Sequence, residues 1–314
     1  MNRLTRFPFA LLLAWMLASC GTPAAVQPTA TTMPVLPTAT MPQATATIQQ
    51  VAGETVGAAV TEEPVPFPLS EPGPYHTGKR TYTFEDASRD GRRIDITVFY
   101  PALLPEGSTG NKLLAGTNRD PDLGDAPYPL ILTGADSGSY IFKSHLASHG
   151  FVMGIVRAPE SSDFGGFLVI DMSRDLLYAL DQIASNPPEG LEGVIDPDQV
   201  GVSGFSGDGD VALALSGVRV NPEFYLSQCE QAPAMEPPLP GWWIEIICSL
   251  AEHWDALVSC VGQEITTSTD GLWQAMTDER IRAVVPMAPS GWWLYGEQGL
   301  GSADRPVLIL WGTA

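Results

Sequence analysis

Ile94, Ile96, Val98 and Tyr100 alternate with Asp95, Thr97 and Phe99, a period of two that predicts a strand. Tyr82 and Phe84 within 80–85 predict the strand before it, with 88–91 as the turn. The pattern then changes character. Tyr128-Pro-Leu-Ile-Leu-Thr-Gly134 is a short continuous apolar run closed by glycine, as expected of a strand buried on both faces. A helix is predicted over 140–149 and another buried strand over 151–156. Met172, Leu176, Leu177, Leu180 and Ile183 fall on one face of a helix over 172–184, which Asn186-Pro-Pro ends. A strand at 199–203, a helix of small residues at 209–216 and strands at 281–288 and 305–311 complete the rhythm. Alternating β and α elements with short connections imply an α/β fold, a doubly wound and mainly parallel sheet. Residues 218–280 break that rhythm. Trp242, Trp243, Ile244, Ile246 and Ile247 sit there in a helix-like segment, read as a helical insertion over the upper edge of the sheet.

The first 73 residues follow other rules. Arg3 and Arg6 precede an apolar run over 7–17, and Leu17-Ala18-Ser19-Cys20-Gly21 follows. The run is too short to span a bilayer as a mature helix, so 1–20 reads as a signal peptide. Its end resembles the lipobox of bacterial lipoproteins, which implies acylation of Cys20 and a protein held to a membrane by lipid. From 21 to 53 no residue is charged, and Pro-Thr-Ala-Thr occurs at both 28–31 and 37–40. Such a segment has too little apolar surface to offset its ordering entropy, so 21–73 is expected to be a disordered tether and 74–314 the folded domain.

Lys and Arg number 16 against 36 Asp and Glu, a net charge of −20. Loss of Arg3 and Arg6 with the leader makes the mature chain more negative still. That surface repels nucleic acid and anionic headgroups, and it suits a soluble protein outside the cytoplasm. Cys229, Cys248 and Cys260 cluster in the chain. In an oxidising compartment two of them could pair, and the third would then remain a free, buried thiol. No CxxC or His-Cys metal spacing is present.

The chemistry centres on Val200-Gly-Val-Ser-Gly204-Phe-Ser206-Gly-Asp208-Gly209. A strand running into a helix through small residues is the nucleophile-elbow arrangement, a tight turn that lifts a serine hydroxyl clear of the sheet. The pattern G-x-S-x-G is met at Gly204 and Ser206, but Asp208 occupies its last position and the glycine comes one later. A carboxylate there suits the start of a helix, yet brings negative charge near a developing oxyanion. With the stretches 97–101, 145–152, 175–181 and 306–314, this elbow is similar to the dienelactone-hydrolase and platelet-activating-factor-acetylhydrolase branch of the α/β-hydrolases.

The resemblance implies Ser206 as nucleophile and backbone N–H groups of Gly207 and Ala135 as the oxyanion hole. It also implies an acyl-enzyme route on carboxylic or lipid-like esters, with no cofactor and no metal. The family reads Gly-Thr-x-Asp after its seventh strand, whereas this chain reads Gly312-Thr313-Ala314. The triad aspartate and histidine are therefore expected beyond residue 314, with the final strand and helix. The 314 residues alone are expected to be an incomplete domain of little activity. His76, placed ahead of the domain, His145 and His149 in the helix after the third strand, and His253 in the insertion are all poorly sited as bases. The pairs Trp242-Trp243 and Trp292-Trp293 could line an ester pocket, although core packing of the insertion is the preferred account. A catalytically silent surface binding protein is the alternative.

Overall fold

The structure is a computed structural model that describes residues 69–135, 140–159, 168–236, 238–266 and 268–312. The expected signal peptide, Cys20 and nearly all of the expected tether lie outside the described residues.

Strands β1 (His76–Asp86) and β2 (Arg92–Ala102) form an antiparallel hairpin. Each outlasts its alternating stretch because the pairing continues to His76 opposite Ala102. His76 is thus the first residue of the sheet, and its expected place ahead of the domain does not hold. The hairpin turns where the Asp86 carboxylate accepts from Ser88 N (3.0 Å), and Asp90 and Gly91 take positive φ. Short β3 (Gly116–Thr117) lies parallel to β1. It is too brief to leave a periodic signal.

Strands β4 (Tyr128–Thr133), β5 (Val152–Arg157), β6 (Ile195–Phe205) and β7 (Ile281–Met287) are mutually parallel, in the order β3-β1-β2-β5-β4-β6-β7. Helices cover both faces of this mixed sheet. Ile94, Ile96, Val98, Val152 and Val156 share one core with Leu176 of α2 (Leu168–Ser185) and Val211 of α3 (Gly207–Ala214). Phe99, Met153 and Ile155, on the alternate positions, pack with Ala147 of α1 (Tyr140–Ser148). The turn of the hairpin is pinned to α2 by Arg89 and Arg92, which reach fully buried Asp175 Oδ1 at 2.7 and 2.9 Å.

Between α3 and β7 the chain forms α4 (Pro222–Gln231), α5 (Gly241–Ile247), α6 (Trp254–Val261) and α7 (Gln263–Thr266). Of these, α4, α6 and α7 pack on a second core shared with Val169 and Ile170 of α2 and Leu213 of α3, in which Tyr225 and Trp273 both lie against Trp254. Cys229 and Cys248 are disulfide-bonded, joining α4 to the end of α5. The expectation of a free, buried third thiol fails on both counts. No described cysteine is free, and Cys260 sits on an exposed position of α6.

After β7 comes α8 (Trp292–Leu300), which the alternating pattern did not announce. The strand expected over 305–311 is reduced to bridges at Val307 and Leu310 on β7. Pro286 of β7 has no N–H to give at this edge, so the ladder is interrupted there. No described helix is long and apolar enough to cross a membrane.

Candidate active site

Strand β6 hands over to α3 at Ser206, whose φ of 57° and ψ of −121° lie outside the regions a non-glycine residue prefers. Such a conformation costs of the order of 1–3 kcal/mol and persists only where its surroundings enforce it. The enforcement is visible. Ser206 N donates to Met287 O of β7 at 2.9 Å, and Ser206 O accepts from Gly209 N and Asp210 N. The two flanking glycines allow the closeness. A methyl on Gly204 would lie 1.9 Å from the Asp208 carbonyl oxygen, and one on Gly209 would lie 2.8 Å from Met287 O. Ser206 is exposed, and its hydroxyl neither caps α3 nor has a hydrogen-bond partner among the described residues.

Gly207 is the first residue of α3, so its N–H belongs to the first-turn amides that have no intrahelical acceptor. Ala135 lies just past β4, the strand beside β6. A methyl on Gly134 would fall 2.0 Å from Asp208 Oδ1. The end of β4 is therefore brought against the first turn of α3, and Asp208 is the residue between them. The carboxylate that breaks the elbow pattern is buried there.

A second carboxylate, Asp210, carries no motif and was not singled out in the sequence. It is buried on the inner face of α3. Its Oδ1 accepts from Ser290 N at 2.6 Å and its Oδ2 from the Ser290 hydroxyl at 2.8 Å. The Tyr295 hydroxyl donates to the Asp210 carbonyl at 3.0 Å. Burial pushes the carboxyl up to about 6, against the pull of the Ser290 bonds. The only signal in the sequence was its spacing, one helical turn after Ser206 in an otherwise small and apolar run.

None of the four histidines hydrogen-bonds Ser206. His145 Nε2 bonds Leu69 O at 2.7 Å, and His149 Nε2 bonds Glu71 O at 2.9 Å. His76 lies at the far strand of the hairpin, and His253 ends a 3-10 turn before α6. Trp293 is buried against Ile247 of α5 and Ala232, which makes it a packing residue. Trp292 is 43% exposed and meets Phe224 edge-on at 5.9 Å. Trp242 is also exposed, with its ring against that of Trp243. A separate concavity is bordered by Arg219, Ser268, Thr269 and Asp270, and the bidentate Arg219–Asp270 ion pair forms part of its wall. Among the described residues no group of three or more His, Cys, Asp or Glu is placed to hold a metal ion.

No family model matches the chain, and no curated protein does. Among solved structures the chain is similar to a ferulic acid esterase from Streptomyces cinnamoneus, at 17% identity and a TM-score of 0.43, over 77% of this chain and 66% of that one. A likeness of that size speaks to neither substrate nor mechanism, and the chain spans about two thirds of the length of that enzyme.

Proposed function

We propose that the protein is a serine hydrolase of carboxylic esters, related to the dienelactone-hydrolase and platelet-activating-factor-acetylhydrolase branch of the α/β-hydrolases, with Ser206 as nucleophile. The observation that carries this reading is the backbone of Ser206. It holds an exposed hydroxyl at positive φ between β6, an inner strand of the sheet, and a helix, a strain of the kind that clusters at functional sites. Ser206 Oγ attacks the ester carbonyl, the alcohol leaves, and water releases the acyl group. The N–H groups of Gly207 and Ala135 are the proposed donors to the tetrahedral oxyanion.

The reaction needs a base and a carboxylate to orient it. None of the four histidines hydrogen-bonds Ser206 among the described residues. We further propose, from the lipobox-like Leu17-Ala18-Ser19-Cys20, that Cys20 is the site of a lipid anchor that holds the protein in the cell envelope, outside the cytoplasm.

The test is labelling of the intact gene product with a fluorophosphonate, followed by peptide mapping. Modification of Ser206, and its loss in Ser206→Ala together with a fall in ester turnover of about 10³-fold or more, is the expected result. Absence of label at Ser206 would leave the silent binding domain as the better account.

A further inference from the structure

We infer that Asp210 is a positioning residue, its carboxylate binding the loop after β7 to the helix of the nucleophile and thereby fixing the turn that presents Ser206. This rests on the hydrolase reading of Ser206.

Three sets of bonds join the two segments. Ser206 N donates to Met287 O, Ser290 donates twice to the Asp210 carboxylate, and the Tyr295 hydroxyl donates to the Asp210 carbonyl. The loop itself is strained, since Ala288 sits at a φ of 47°. It also approaches closely: a methyl on Gly291 would lie 3.0 Å from Asp210 Oδ1. Residues 288–291 thus follow α3 through the Asp210 carboxylate.

The carboxylate is poorly suited to this place on grounds of stability alone. Around it stand Ser290 and Gly291 of the loop, Trp293, Leu294 and Tyr295 of α8, Val169 of α2 and Ile247 of α5. On its own helix the nearest charge is Asp208. Tyr295 is the titratable group facing it from another element, and burial together with the Asp210 charge keeps that phenol protonated well beyond the usual range. No described cation forms an ion pair with Asp210, so its desolvation is offset by the Ser290 bonds and the Gly291 backbone N–H alone, which do not cancel it. A neutral amide of the same shape would fit the pocket better. Retention of an ionised group against that cost is expected where it holds functional geometry.

Asp210→Asn separates this role from a purely structural one. In the intact gene product the variant should unfold at a higher temperature than wild type at pH 8 and at the same temperature at pH 4. Its Ser206 should react with a fluorophosphonate about tenfold more slowly or worse at pH 8. Ser290→Ala removes one bond and keeps the charge, so it should slow labelling with no gain in stability. A structural role predicts the opposite for Asp210→Asn, a lower unfolding temperature at pH 8, and that result would overturn the inference. So would a labelling rate within about twofold of wild type. If wild-type Ser206 takes no label, the hydrolase reading fails and this inference falls with it. Label on wild type with an indifferent Asp210→Asn sinks the inference alone.

Discussion

At Ser206 and its neighbours, close approach of backbone decides what substitutions are tolerated. A methyl at Gly204 meets the Asp208 carbonyl, which is backbone and cannot turn aside. Gly204→Ala should therefore cost more than about 3 kcal/mol in denaturant unfolding, whereas Gly201→Ala, whose methyl finds its nearest neighbour at 3.6 Å, should stay within about 1 kcal/mol. Asp210 carries the pH dependence. Its folded pKa, near 6, lies above the ordinary 3.8, so between these values the folded state holds the proton more often than the unfolded one. Stability from this group is full below about pH 4 and is lost as pH rises through 6, a penalty of about 3 kcal/mol at pH 8 that Asp210→Asn relieves. The nucleophile was legible because the elbow is a local motif of small residues beside a strand. Asp210 was not, because a lone aspartate inside a helix looks the same whether it faces solvent or Ser290.

The strands with a local pattern were recognised, and those defined by their neighbours were missed or shortened. Residues 94–100 and 128–133 announce themselves by alternation and by a continuous apolar run. Short β3 exists only because β1 offers it an edge, and α6 and α8 owe their packing to distant aromatic rings such as Trp273 and Phe224. At this scale the Asp175 junction sets the stability of the β1–β2 turn on α2. Asp175→Ala removes the partner that Arg89 and Arg92 share, leaving Arg89 with Asp86 and Arg92 with the Pro159 carbonyl, and should cost about 3 kcal/mol in urea titrations. The Cys229–Cys248 bridge spans 19 residues and constrains α4 and α5. Its reduction should lower stability by about 3 kcal/mol.

Seen whole, the molecule combines a strongly negative surface with one apolar margin. Leu308 and Trp311 are 60% and 71% exposed along the interrupted ladder beside β7. Such a margin pairs with other chains unless it is covered or charged. The 314-residue chain should self-associate with rising concentration in sedimentation experiments, and a Leu308→Lys, Leu310→Lys double variant should shift it toward monomer. Net charge offers limited protection, because salt screens it while the apolar strip persists.

The start of the folded unit bears on how it would carry load. Leu69 and Glu71 give their carbonyls to His145 and His149, Gly73 N donates to the Ser148 hydroxyl, and Tyr75 N donates to Ser148 O. These bonds precede the strand in the chain, so a pull on the chain ahead of residue 69 reaches them before any pairing of β1. A protein held by its N-terminal segment in a moving fluid would then yield first at this clasp on α1, leaving the hairpin and the serine turn at rest.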